Sequence, residues 1–131
     1  MDHIEEALDR ATAARANAHV PYSGFPVGAA VKVAGRENVV PGCNVENASF
    51  GATVCAERTA IFSAVIAYGK VDFDFLMVVT EADPPAVPCA LCLQVMAEFC
   101  RPEMPVHLAT PEGVKRTVRL KDLLPEPFTS F

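Results

Sequence analysis

Positive charge is scarce in this sequence: 11 Lys and Arg stand against 16 Asp and Glu, a formal net charge of −5. Binding to nucleic acid rests on neutralising phosphates with basic side chains, and no basic stripe interleaved with aromatics is present, so that class is excluded. A small, neutral or weakly charged ligand fits the balance better. Long apolar runs are also missing: the longest strongly apolar stretch, Phe75 to Val79, is far below the roughly 20 residues of a membrane-spanning helix. The amino end, Met1-Asp2-His3-Ile4-Glu5-Glu6, is acidic where a secretory leader is basic and then apolar, and a cytoplasmic protein is expected. Repeats, low-complexity tracts and linkers are absent. With 131 residues, 51% of them hydrophobic, the chain is expected to form one domain over 1–131 around one well-buried core. The five cysteines are an odd count, and a reducing compartment would keep them as thiols open to a metal.

Ile4, Ala7, Leu8, Ala11, Ala14 and Ala18 recur at helical spacing, which predicts an amphipathic helix ending before Pro21. Tyr22 to Pro26 reads as a loop. Val27–Ala34 and Val39–Val45 read as strands, joined in a hairpin through Gly35-Arg36-Glu37-Asn38. Nothing between Arg58 and Lys70 is charged, and Thr59 to Tyr68 is too long for a strand, so it reads as a helix buried nearly all round. Phe73–Thr80 is a buried strand. Cys89–Cys100 is a second apolar helix with Pro88 in its first turn. Val106–Ala109 and Thr117–Leu120 are short strands, followed by a helical turn near Asp122–Leu124. This order predicts an α/β fold, a mixed sheet with helices on its faces. Two such apolar helices are hard to hide in one small domain, so self-association is expected.

Chemistry concentrates in Cys55-Ala56-Glu57 and Pro88-Cys89-Ala90-Leu91-Cys92. Cys55, Cys89 and Cys92 all fall at helix starts, where partial positive charge and free N–H groups favour the thiolates a metal needs. Three thiolates can hold zinc and leave its fourth position to water, the pattern of a catalytic rather than a structural site. Glu57 then stands beside that water as a proton carrier, in surroundings that raise its pKa, and Arg58 balances the thiolate charge. Each residue has a plainer reading. Cys-x-x-Cys also serves redox motifs and zinc knuckles, Glu57 is also a first-turn helix carboxylate, and Arg58 an ordinary surface partner. Cys43 and Cys100 read as buried small hydrophobes. The conjunction of Cys-x-Glu with Pro-Cys-x-x-Cys is the specific signal, since it matches the zinc nucleobase-deaminase signature in its three-cysteine form.

With these motifs, the sequence resembles the small homotetrameric cytidine deaminases. The likeness also runs through Pro21-Tyr22-Ser23-Gly24-Phe25-Pro26-Val27-Gly28, Gly42-Cys43-Asn44-Val45-Glu46-Asn47-Ala48-Ser49, Cys55 to Ala60, Pro88 to Gln94, and Leu123-Leu124-Pro125 with Phe128. The resemblance implies a three-layer α/β/α fold with a five-stranded mixed sheet, Zn²⁺ as cofactor, and hydrolytic deamination of cytidine and deoxycytidine in pyrimidine salvage. It assigns Asn44 and Glu46 to the ribose. On the residues alone, these two project to one side of a strand, fit for gripping a sugar hydroxyl or for a solvated strand end. It puts Phe25, otherwise a core residue by type, on the base pocket, and the backbone of Ala56 and Cys89 against the base's polar edge. It sends Phe50 and Phe128 into a neighbouring subunit's site. Asn47 reads as a turn or cap residue. Four positions depart from the family pattern: Ala90 and Leu91 where Gly and a smaller residue are usual, Leu93 for Arg, and Phe50 for Tyr. They leave open another hydrolytic deaminase on the same scaffold, acting on a modified nucleoside, a nucleobase, a triazine or a blasticidin-type antibiotic. A non-catalytic zinc or redox module is the rival of another class, and it has no need of Glu57.

Overall fold

The computed structural model describes residues 2–131. Helix α1, His3–Arg15, starts on Asp2, whose carboxylate accepts a hydrogen bond from Glu5 N at 2.8 Å. It stops earlier than its apolar spacing predicts. Asn17 N and Ala18 N bond back only three residues, to Ala14 O and Arg15 O, and this tightening frees His19 N to reach Asn44 O at 3.0 Å. Strands β1, Gly28–Val33, and β2, Val39–Cys43, form the expected hairpin. Helix α2, Ala56–Tyr68, strand β3, Phe73–Val79, and helix α3, Ala90–Phe99, follow, then strands β4, Pro105–Thr110, and β5, Gly113–Arg119, and the short helix α4, Leu120–Leu123. The sheet order is β2-β1-β3-β4-β5. Only β3 and β4 run parallel, and α3 is the crossover between them.

Alternate strand residues divide the core into two layers. Ala29, Val31, Leu76 and Val78 pack with Ile61 of α2 and Met96 of α3, whereas Ala30, Phe75 and Met77 pack under Ala7 and Ala11 of α1. The result is a three-layer α/β/α domain with a five-stranded mixed sheet. Two glycines let helix backbone lie directly on the sheet. A Cβ on Gly28 would stand 1.9 Å from Ala11 O, and one on Gly42 would stand 2.4 Å from Ala60 N.

The structure changes several details of the sequence reading. The sheet covers only one side of α2 and α3, so neither is buried all round: Ile66 is 86% exposed and Leu91 65%. Pro88 precedes the N-cap, Cys89, instead of sitting within the first turn. β5 begins at Gly113, before the expected Thr117, and yields to α4 at Leu120. As an edge strand it is largely exposed, so Lys115-Arg116-Thr117 carries no apolar alternation to mark it.

Candidate active site

The N-termini of α2 and α3 are brought together on one side of the sheet. Cys55 is the N-cap of α2 and Cys89 that of α3, and neither sulfur caps its own helix. Cys92 is the third residue of α3. The three Sγ atoms lie within 4.8 Å of one another, with Cys55 Sγ and Cys89 Sγ 3.7 Å apart. Tetrahedral zinc with bonds of about 2.3 Å sets its sulfurs about 3.8 Å apart, so this donor set fits the ion in both type and spacing. Cys43 and Cys100 stand outside the cluster.

Charge at the cluster favours a thiolate at Cys55. A hydrogen bond from Cys92 brings the Cys55 thiol down to about 5, against the desolvation of its half-buried position and with help from Arg58 and Cys89. Cys92 is pushed up, by the contact with Cys55 and by burial. Arg58 Nη2 donates to Cys55 Sγ at 3.5 Å. Glu57, one helical position beyond buried Ala56, is only 5% exposed. Burial, with a smaller contribution from the negative charge at Cys55, pushes its carboxyl up to about 7.

Cys55, Cys89 and Glu57 open onto a cavity of about 260 Å³ whose wall also includes Phe25, Asn44 and Glu46; Cys92 and Arg58 are not part of its lining. A larger hollow of about 680 Å³ lies between the loop after β3 and the β4–β5 turn, but it is lined by Glu81, Asp83, Glu112 and Lys115 and contains no thiol. Chemistry, and not size, selects the smaller one. Asn44 lies just past β2, and its amide is committed at both atoms: Nδ2 donates to Phe25 O and Oδ1 accepts from Val27 N, each at 2.9 Å. Glu46 Oε1 accepts from Tyr22 N at 3.0 Å and Ser23 N at 3.1 Å, and Oε2 accepts from the Ser23 hydroxyl. Phe50 and Phe128 do not line this cavity. Phe50 packs edge-to-face on Tyr22 at 5.6 Å, and Phe128 stacks on Phe131 while its carbonyl accepts from Gln94 Nε2 at 2.6 Å. Both rings are more than half exposed. Ser23, Thr53 and Thr80 also line the wall without having been singled out in the sequence. Only Thr80 had a signal there, since strand alternation puts it on the same face as Val78.

Residues 1–108 match the family model for the cytidine and deoxycytidylate deaminase zinc-binding region. The chain belongs to this family. A cytidine deaminase of Sporosarcina psychrophila is 43% identical over 126 residues, covering 96% of this chain and 91% of that one. The crystal structure of a cytidine deaminase from Burkholderia pseudomallei superimposes with a TM-score of 0.88 at 44% identity, over 98% of this chain and 100% of the other. One from Mycobacterium tuberculosis gives a TM-score of 0.79 at 38% identity, over 99% and 100%. Within this deaminase fold the departing residues take distinct places. Leu93 packs into the core with Met96, whereas Ala90 and Leu91 are exposed on the turn between two of the thiols.

Proposed function

We propose that this chain is a zinc-dependent hydrolase of a cyclic amidine C–N bond, converting cytidine and deoxycytidine with water to uridine and deoxyuridine and releasing ammonia. The observation that carries the reading is the buried Glu57 carboxyl on the wall of a cavity that is also lined by Cys55 and Cys89, two of three clustered thiols. Zinc held by Cys55, Cys89 and Cys92 supplies Lewis acidity that makes water a nucleophile near neutral pH. With its carboxyl raised to about 7, Glu57 holds or releases a proton at the working pH. It takes one proton from the attacking water and delivers it to N3 of the base, then takes the second from the hydroxyl now on C4 and passes it to the departing amino nitrogen as the C4 carbonyl forms and the C–N bond breaks. Arg58, donating to Cys55 Sγ, offsets the charge of the thiolates.

Recognition falls to the other wall. Phe25 offers an aromatic face to the base, and the backbone N–H groups of Ala56 and Cys89 serve its polar edge. Glu46 accepts three hydrogen bonds, and Asn44 uses one of its two N–H donors and one of its two acceptor lone pairs, which leaves both donor and acceptor capacity for the sugar hydroxyls. Contact with the 3′-hydroxyl, which ribose and deoxyribose share, would let both nucleosides bind. Exposed Ile66 and Phe62 on α2, with Phe50 and Phe128 outside their own cavity, support a homotetramer in which those two rings complete a neighbour's site. The five free thiols suit the reducing cytoplasm; among the described residues no helix is long and apolar enough to cross a membrane.

Ammonia release from cytidine, deoxycytidine, cytosine, cytidine monophosphate and a blasticidin-type compound tests the reading. The two nucleosides should be the best substrates. Turnover of free cytosine as fast as cytidine would remove the sugar-gripping role and favour a base deaminase on this scaffold, while turnover of the antibiotic alone would move the substrate class.

A further inference from the structure

The cavity wall opposite the thiols is an irregular segment, Tyr22 to Val27, with neither a helix nor a strand to hold it until β1 begins at Gly28. Yet Phe25 is fixed at both of its backbone groups. Its carbonyl accepts from Asn44 Nδ2 at 2.9 Å, and its N–H donates to Ser23 Oγ at 3.0 Å. The same Ser23 hydroxyl gives its single proton to Glu46 Oε2. Ser23 therefore joins two parts of the wall that are distant in sequence, the aromatic residue and the carboxylate.

We infer that Ser23 is a positioning residue of the substrate pocket, a latch whose hydroxyl sets the Glu46 carboxylate and the Phe25 ring in register for a nucleoside. The inference rests on the reading of Glu46 and Phe25 as sugar and base contacts. Without that hydroxyl Phe25 N has no acceptor, and Glu46 Oε2 loses the bond that fixes its rotation. The backbone bonds of Tyr22 and Ser23 to Oε1 remain, so the segment loosens without detaching. Among the described residues no hydrogen bond joins this segment to Glu57 or to the three thiols, so the latch governs binding and leaves the proton transfers alone. Threonine at this position keeps the hydroxyl, and alanine removes it.

The test compares the zinc-loaded parent with Ser23→Ala and Ser23→Thr. For Ser23→Ala, KM for cytidine should rise about 10-fold with kcat within twofold and zinc content unchanged, and Ser23→Thr should return KM to within about threefold of the parent. Amide hydrogen exchange at Phe25 should accelerate at least about 10-fold in the Ala variant and not in the Thr variant. Unchanged KM in Ser23→Ala overturns the inference, as does a fall in kcat together with lost zinc, which would make Ser23 a fold element. Should the parent deaminate no nucleoside, the functional reading fails by itself. Exchange at Phe25 then decides the latch, and an unaltered rate in Ser23→Ala refutes it.

Discussion

Replacing Gly42 by Ala perturbs the site from the sheet beneath it, without changing a residue that lines the cavity. Gly42 lies in β2 directly beneath the first turns of α2. The added Cβ would stand 2.4 Å from Ala60 N, 2.4 Å from Thr59 Oγ1 and 2.6 Å from Ala56 O, where ordinary contact begins near 3.4 Å. Two of the three obstacles are helix backbone, so relief requires the amino end of α2 to move off the sheet by about 1 Å. That shift also strains the anchor of the helix, the Thr59 hydroxyl lying 2.8 Å from Cys43 O. Overpacking of this kind costs about 1–3 kcal/mol, equivalent to a fall in Tm of roughly 4–11 °C in a domain of this size. Function should suffer more than stability, because the displaced turn carries Cys55, Glu57 and Arg58 while Cys89 and Cys92 stay with α3. Cys55 and Cys89 start 3.7 Å apart, and a displacement of about 1 Å spoils both the sulfur tetrahedron and the placement of the carboxylate, for which a loss of about 10²-fold in kcat/KM is expected. The assay pairs thermal unfolding with zinc content and ammonia release from cytidine. A Gly42→Ala protein that keeps parental zinc and activity within twofold would refute the claim that close packing of α2 on β2 sets the site.

Two further outcomes concern the metal and the assembly. Cys89→Ser and Cys92→Ser should each lose most of their zinc by elemental analysis, while Cys43→Ser and Cys100→Ser, whose sulfurs lie outside the cluster, should retain one ion per chain; full retention in either of the first pair contradicts the ligand set. Ile66→Asp puts a charge on the most exposed large hydrophobic residue of α2, and sedimentation should show a smaller assembly with lower activity, whereas an unchanged assembly would remove that face from the interface.

The three-thiol cluster and the buried Glu57 were legible because each residue lies at a helix start marked by composition, and because three thiols with a nearby carboxylate form an unusual conjunction of residue types. The sheet was legible for a related reason: β1, β2 and β3 are apolar segments of strand length bounded by turn residues. What the sequence left hidden depends on contacts between distant segments. Nothing local to Ser23 announces its bond to Glu46, 23 residues away, or that the Asn44 amide closes on Phe25 and Val27 across a loop. Composition made α2 and α3 look buried all round because it counts apolar residues without knowing which face the sheet covers. The start of β5 was missed because an edge strand has no need of an apolar face.

Glu57→Gln, assayed for zinc and for ammonia release on the same sample, bears most directly on the proton-carrying role that separates an enzyme from a zinc module. The substitution preserves size and hydrogen-bonding shape but removes the group able to accept and return a proton. Zinc should stay at the parental level, because the three thiols make the cluster without the carboxylate, and turnover of cytidine should fall by about 10²–10⁴-fold. Activity within a few-fold of the parent with zinc intact would contradict the mechanism, and loss of zinc would make Glu57 a ligand or a fold element instead.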